Sequence, residues 1–473
     1  MVRIFSLSLL WVLCSATSIA QTIRFELADP QPDLIEVYSG SLGSGDIDGD
    51  GDQDLLMSGL TPGRETALYL NDGNGNFTEI LPIPFPEASN TVTIFKDLDA
   101  DGDLDVFFAG MGFNIQEFAH IYLNDGAGAF TQLANPALPS FQDGNAAIGD
   151  VDNDGDPDIV ISALDKNNNF VADVYLNDGN ANFTAMASTA FTAVKAGVLA
   201  FIDVENDGDA DLIISGKKAD NTASTILYLN DGLGNYAADT ASVFEQLAAD
   251  DLDVADIDND GDLDILTSGV KDPFVIRTIL YLNDGNGQFA ELATANLQQT
   301  FTGTNAIADL DNDGDQDLVI LGSQMGGIPN IFNIVYENMG NNVFVPTDTI
   351  GGEYIASCVL EDFNGDNLLD IIMIGFVANT NVYWNSSTIL NSVDESIPLA
   401  SVYPNPSNGS FFVESNTGQP ISLQIVSING SLIYQDDSLV GRKELALDLP
   451  SGLYFAVLRS EKISQRLKLI ISK

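Results

Sequence analysis

The chain has 473 residues, with 69 Asp+Glu against 17 Lys+Arg and a single His, a formal net charge of −52 at pH 7. So acidic a molecule excludes nucleic acid and anionic membrane as partners. With 45% hydrophobic and only 18% charged residues, it has the material for a large core and lacks the profile of a disordered acidic chain.

The amino terminus opens with Met1-Val2-Arg3, then an apolar run from Ile4 to Leu13, then small residues ending in Ser18-Ile19-Ala20. This pattern reads as a secretory signal peptide over residues 1–20, cleaved after Ala20. The run is about half the ~20 residues that a membrane-spanning helix requires, and no later segment is apolar enough to span. Cys14 follows Leu13, which is too large for a lipoprotein cleavage site. Removal of the signal leaves Cys358 alone, so an exported product has no intramolecular disulfide.

Beyond the signal, one nine-residue pattern, D-x-[DNE]-x-D-[GN]-x-x-D, begins at Asp46, Asp97, Asp150, Asp203, Asp256, Asp309 and Asp362, at intervals of 51 and then 53 residues. Each copy is followed by a tyrosine (Tyr69, Tyr122, Tyr175, Tyr228, Tyr281, Tyr336, Tyr383), mostly leading into Asn-Asp-Gly. In six copies a second aromatic follows: Phe77, Phe130, Phe183, Tyr236, Phe289 and Phe344. In the sixth unit, residues 302–308, 318–321 and 331–336 read as strands around the acidic loop 309–317. The Asn-Asp-Gly link is hairpin chemistry because its residues tolerate positive φ, and a fourth strand follows it. Four strands repeated about every 50 residues predict the blades of a β-propeller. The seventh copy stops after its third strand, while Thr22–Ala28 (T-I-R-F-E-L-A) resembles the fourth-strand segment Gln288–Ala293. A closing strand from the amino terminus is therefore expected to complete the last blade.

Carboxylates at positions 1, 3, 5 and 9, with Gly at 6, gather hard oxygen ligands around one small cavity, which suits calcium. Transition metals would favour the imidazole or thiolate that these loops lack. The candidate ligands are Asp46, Asp48, Asp50 and Asp54; Asp97, Asp99, Asp101 and Asp105; Asp150, Asp152, Asp154 and Asp158; Asp203, Glu205, Asp207 and Asp211; Asp256, Asp258, Asp260 and Asp264; Asp309, Asp311, Asp313 and Asp317; and Asp362, Asn364, Asp366 and Asp370. An EF-hand would need Glu at position 12, where these loops carry Met57, Phe108, Ile161, Ile214, Thr267, Ile320 and Met373. Those side chains belong to a strand.

On these loops and spacings, residues 22–391 resemble the FG-GAP/VCBS repeats of integrin α-like propellers. The resemblance implies about seven structural Ca2+ ions in loops joining the first and second strands of each blade. Glu205, Asn364 and, in place of Gly, Asn367 depart from the pattern; Asn tolerates the left-handed backbone, so the seventh site is expected to be weaker but present. The charge falls where the loops are: residues 1–392 carry −51 and residues 393–473 carry −1.

The repeated aromatics are expected to pack blade against blade, and Cys358 to act as a small buried hydrophobe on an innermost strand. His120 is the only imidazole, so paired-histidine catalysis is excluded and no catalytic constellation is visible. Strand parity places the acidic loops on one face and the variable loops on the other. Of nine basic residues between 21 and 392, seven belong to that variable face: Arg64, Lys166, Lys195, Lys217, Lys218, Lys271 and Arg277. Rigid scaffolds carry recognition on variable loops, so this face is the expected surface for an extracellular protein or glycan.

A linker, residues 392–401, leads to a tail, 402–473, whose strand-like stretches suffice for a small β-sandwich. It carries Y-P-N-P-x-x-G at Tyr403–Gly409, S-I-N-G at Ser427–Gly430, S-G-L-Y at Ser451–Tyr454 and K-L-I at Lys468–Ile470. These motifs resemble the type A C-terminal sorting domain of the type IX secretion system of Bacteroidota. The resemblance implies engagement of that machinery, export across the outer membrane, tail removal, and release or attachment at the cell surface. The expected molecule is all-β: a seven-bladed β-propeller with calcium loops over residues 21–391, then a small β-sandwich. Its expected role is recognition or adhesion without chemistry. A propeller lectin and a polysaccharide-degrading enzyme such as a lyase are the alternatives.

Overall fold

The computed structural model describes residues 23–61, 63–112, 116–134, 137–186, 191–242, 244–323, 331–351, 355–375, 380–387, 400–415, 420–427, 432–459 and 464–473. The expected signal peptide and most of the expected linker lie outside the described residues. The chain forms two compact units, Met1–Ser387 and Thr388–Lys473. It is all-β, with one short 3-10 turn at Ala293–Ala295 among the described residues.

The first unit consists of four-stranded antiparallel sheets, each pairing its strands in chain order. In the third, Phe141–Gly149, Asp158–Asp165, Phe170–Leu176 and Thr184–Ala185 lie side by side. Among the described residues there are seven such sheets, and the seventh takes its outer strand from the other end of the unit. There, Phe25–Leu27 pairs with Thr380–Asn385, with Phe25 opposite Asn385 and Leu27 opposite Tyr383. The sixth sheet runs Asn305–Ala308, Asp317–Ser323, Ile331–Asn338 and Phe344–Thr349, so its inner strand is shorter than residues 302–308.

The second strands are apolar on both faces because each face meets a different neighbour. In Asp54–Leu60, Leu55 and Met57 pack with Phe363, Ile372 and Ile374 of the seventh sheet, whereas Leu56 packs with Val106 and Phe108 of the second. Alternation of side chains across a strand produces this division. Each fully buried Leu contributes about 1.5–3 kcal/mol of transfer free energy. Every interface between consecutive sheets has such a core, and the first sheet also shares one with the seventh. The repeated tyrosines sit in these cores, as expected. Phe85 meets Tyr122 at 4.4 Å, Phe191 meets Tyr228 at 4.9 Å, and Phe244 meets Tyr281 at 5.2 Å between ring centroids. The outer strands are short, two or three residues in most sheets, which limits the unpaired edge they present.

A second device joins the sheets. The Asn that leads each Asn-Asp-Gly or its counterpart is not a turn residue: buried, it ends the third strand or follows directly on it, and the turn comes after. Asn124 Nδ2 donates to Ile47 O at 2.7 Å, Asn177 to Leu98 O at 2.8 Å, Asn230 to Val151 O at 2.8 Å, and Asn283 to Val204 O at 3.0 Å. Asn338 reaches Ile257 O and Asn385 reaches Leu310 O in the same way, while Asn71 donates to Phe363 O at 2.9 Å, linking the first sheet to the seventh. Each acceptor is the second residue of the preceding sheet's acidic loop.

The second unit places a three-stranded sheet (Ala400–Tyr403, Ser410–Ser415, Arg442–Ala446) and a four-stranded sheet (Leu432–Leu439, Ile421–Ser427, Gly452–Arg459, Ser464–Ile471) around one core that includes Phe411, Leu423, Ile425, Leu458 and Leu469. The last strand, Ser464–Ile471, holds the K-L-I motif. Asn405 clamps it: Nδ2 donates to Lys468 O at 2.7 Å, and Oδ1 accepts from Ile470 N at 2.8 Å. The first and last motifs of the tail thus meet in space.

Candidate metal sites

Each acidic loop joins the first and second strands of its sheet and folds around its own carboxylates. In the third loop, Asp150 Oδ1 accepts from Asp154 N at 3.1 Å, Asp150 Oδ2 accepts from Gly155 N at 3.0 Å, and Asp154 Oδ1 accepts from Asp156 N at 3.0 Å. These bonds coil the loop so that successive carboxylates face one point. Coiling requires two left-handed residues, at positions 4 and 6. Position 6 is glycine, as at Gly155 with φ +96°, and in the seventh loop Asn367 takes it with φ +66°, as its chemistry allows.

Carboxylate oxygens converge within 4.8 Å of one another at positions 1, 3 and 5 of three loops: Asp46, Asp48 and Asp50; Asp97, Asp99 and Asp101; Asp256, Asp258 and Asp260. In two others positions 1, 3 and 9 converge: Asp150, Asp152 and Asp158; Asp309, Asp311 and Asp317. The loops at 203 and 362, with Glu205 and Asn364 at position 3, form no such triad among the described residues. Asp97 Oδ1, Asp99 Oδ1, Asp152 Oδ1 and Asp258 Oδ1 are buried and accept no hydrogen bond. A buried carboxylate oxygen without a donor is costly unless a cation faces it. An all-oxygen donor set around a small cavity fits calcium.

The aspartate at position 9 has a second task. Asp158 Oδ2 accepts from Val151 N at 2.9 Å and Oδ1 from Asn177 N at 2.7 Å, so one carboxylate ties the loop to the third strand. The same pair of bonds recurs at Asp54, Asp105, Asp211, Asp264, Asp317 and Asp370, all buried. The adjoining turn packs closely against the loop: Gly126 has φ +73°, and a Cβ there would lie 2.4 Å from Asp103 Oδ2. Neighbouring loops are also bonded to one another. Position-4 asparagines donate to the next loop, Asn153 to Asp209, Asn206 to Asp262 and Asn259 to Asp315. Asparagine at position 4 in four consecutive loops was the signal for this belt.

Burial raises the position-9 carboxyls, to about 6 at Asp105, Asp158, Asp211 and Asp264, about 7 at Asp54 and Asp370, and about 9 at Asp317. Burial, then the charge at position 5, raises Asp48, Asp99, Asp152 and Glu205. Without a cation the native state therefore holds more protons than the unfolded chain from about pH 4 to 7. Stability then rises as pH falls through that window. A bound cation reverses the sign, because protonation must expel it. Melting of cation-stripped protein at pH 7.5 and 5.0 is expected to show a higher transition at pH 5.0, and calcium-loaded protein a lower one. Equal slopes in the two states would contradict the cation sites.

The basic residues named from the sequence have different partners. Lys271 Nζ and Arg277 Nε both pair with Glu245 at 2.5 Å, and Arg277 also pairs with Glu291. Arg64 Nε donates to Ser89 Oγ at 3.0 Å. Lys195 and Lys217 are cross-strand partners, and Lys218 follows them in the turn toward Thr222. Lys166 lines a cavity of about 550 Å3 with Phe118 and half-buried His120, whose pKa burial lowers and whose Nδ1 lies 3.3 Å from Tyr122 Oη. Cys358 lies on the innermost strand Ile355–Glu361, half-buried, its thiol pushed up by burial. No helix among the described residues is long and apolar enough to cross a membrane.

The FG-GAP-like repeat family matches residues 46–108, 97–161, 150–214 and 309–373, and the secretion system C-terminal sorting domain matches 401–472. No curated protein matches the chain. Among solved structures, PorZ, a surface component of the type-IX secretion system of Porphyromonas gingivalis, aligns at 12% identity and TM-score 0.45 over 93% of this chain and 60% of that one. A mutant of AofleA from Arthrobotrys oligospora aligns at 13% and 0.42 over 70% of this chain and 91% of that one. Rhamnogalacturonan lyase YesW aligns at 11% and 0.33, over 90% and 75% respectively. Likeness at this level identifies neither ligand nor activity.

Proposed function

The chain belongs to the FG-GAP-like repeat proteins and ends in a type IX secretion-system sorting domain, and on that premise we propose that it is a calcium-stabilised, seven-bladed recognition or adhesion module displayed at or released from the cell surface. The sorting domain indicates export, and residues 1–20 would supply the signal peptide for the first membrane. One observation carries the reading of calcium: buried, donor-less carboxylate oxygens recur in separate copies of the same loop. Ring closure is supported by the first-to-seventh sheet core and by the Asn71 bond to Phe363. Seven Ca2+ would be held by positions 1, 3, 5 and 9 of each loop, most weakly where Asn364 replaces a carboxylate.

A rigid, repeated scaffold with varied loops opposite the cation sites is built to hold a binding surface still. Lys166 and Lys217 remain exposed bases of that face, with Lys218 half-buried, whereas Lys271 and Arg277 are committed to Glu245. The test is affinity capture of extracellular proteins and glycans on the calcium-loaded protein, repeated after chelation. Capture in calcium that is lost on chelation is expected. Turnover of uronic-acid polymers into unsaturated products would replace this reading with that of a lyase.

A further inference from the structure

The inner strands begin with a kink that strand periodicity does not predict. Ser39, Asn90, Asp143, Ala196 and Thr302 have φ between 45° and 51°, and five sheets of the unit skip register at the corresponding point. Left-handed backbone at non-glycine residues is costly and persists where surrounding structure enforces it. Gly197 follows one of these kinks because a Cβ there would lie 1.9 Å from Ser215 O. The kinks surround a cavity of about 510 Å3 whose walls come from six of the seven sheets. It lies where the inner strands start, opposite the acidic loops.

The polar part of the lining is hydroxyl, amide and carboxylate, set beside Leu42, Val92 and Ile94. Ser41 Oγ bonds Thr91 Oγ1 at 2.8 Å and Thr93 Oγ1 at 2.6 Å, and Thr91 Oγ1 also bonds Ser58 Oγ at 2.6 Å. Asn145 projects from the third sheet. Asp143 and Asp250 are exposed carboxylates of this wall, and Thr302 N donates to Asp250 Oδ2 at 2.9 Å. No Lys, Arg or His is among the described lining residues; burial raises the Asp250 carboxyl, and the Thr302 amide and then the field of exposed Lys217 act against that rise. Behind Asp250 on the same strand stand Asp251 and Asp253. Asp251 accepts from Asn305 N and Thr304 Oγ1, whereas Asp253 Oδ2 is buried without a donor. The other six sheets carry Gly43, Ile94, Ala147, Ala200, Ala306 or Val359 at the position of Asp253, three residues before the acidic loop, so this buried carboxyl, which burial and then the charge of Asp251 push toward its protonated form, is peculiar to one sector of the bore.

We propose that this axial mouth binds an amino sugar, with its ammonium group neutralised by Asp143 and Asp250 and its hydroxyls bonded by Ser41, Thr91, Thr93 and Asn145. The proposal rests on the recognition reading above and gives it a ligand class. The volume lies within the range of small-ligand sites. The negative wall selects an ammonium and rejects uronates and sulfated sugars, while the hydroxyl group separates a sugar from a simple amine.

The test is calorimetric titration of the full calcium-saturated protein at fixed ionic strength with D-glucosamine, N-acetyl-D-glucosamine, D-glucose, D-glucuronate and ammonium chloride. Glucosamine is expected to bind at one site per chain, with glucose and the N-acetylated sugar each about tenfold weaker, because a charge-assisted bond is lost. Glucuronate and ammonium chloride should give no saturable heat. Asp143→Asn and Asp250→Asn should each weaken glucosamine about tenfold without changing the melting temperature in calcium. Glucosamine binding no tighter than glucose, or unchanged in the double variant, overturns the proposal. A different ligand captured with undiminished affinity by the double variant also overturns it, yet leaves recognition by this face standing. Capture of nothing sinks the broader reading.

Discussion

Stripping calcium from the purified protein is expected to lower its melting temperature by about 20 °C. If free calcium stands about tenfold above each dissociation constant, binding contributes about 1.4 kcal/mol per site by linkage. Seven sites then contribute roughly 10 kcal/mol, comparable with the entire stability of an ordinary domain. Taking about 2 °C per kcal/mol for a large domain gives the shift. The structure says why the loss is not confined to the loops. Each loop's second residue provides the carbonyl that accepts the neighbouring sheet's asparagine, as Val151 O does for Asn230. Position-4 asparagines tie loop to loop as well. Repulsion among unneutralised carboxylates therefore acts on the bonds between sheets, and the transition should broaden as it falls. Scanning calorimetry in calcium and in excess chelator measures both, and an unchanged melt would show that calcium plays no structural part.

Asp158→Ala should destabilise the calcium-loaded protein by about 3–5 kcal/mol, well beyond the loss of one metal ligand. Its two oxygens accept from Val151 N and Asn177 N, both inside the protein, and truncation leaves two buried N–H groups unpaired beside a small void. Asp158→Asn keeps the volume but turns an NH2 toward one of those donors, so it should recover only part of the loss. Substituting Asp154, which is exposed and bonded within the loop, should cost little beyond the ion. Denaturant midpoints in saturating calcium distinguish the cases. A loss at Asp158 no larger than at Asp154 would reduce position 9 to a simple ligand.

Much of this architecture was legible because it is periodic. The acidic loops, the paired aromatics and the amino-terminal strand that completes the last sheet all repeat a spacing, and spacing survives in a linear string. Local chemistry misled where one residue type serves two ends. Asn-Asp-Gly reads as a turn, yet Asn71 and its six counterparts sit at or just past the end of a third strand, and their amides reach the neighbouring sheet. Position 9 reads as a metal ligand, yet its first partners are two backbone amides. The axial cavity left almost no trace, since no single residue type marks the kinks at Asn90, Asp143 and Ala196 and its wall is gathered from six sheets far apart in the chain. Lys271 and Arg277 looked available in sequence because Glu245, which engages both, lies 26 and 32 residues away. In the tail, K-L-I was visible as a motif, and its role as the end of an edge strand clamped by Asn405 was not.

The most direct test of the account is the number of calcium ions retained per chain, measured by equilibrium dialysis of the full protein at neutral pH. About seven are expected, with the weakest released first and that one abolished by Asp366→Ala in the loop where Asn364 replaces a carboxylate. A protein that folds with its native melting temperature while retaining no calcium would contradict the account at its root.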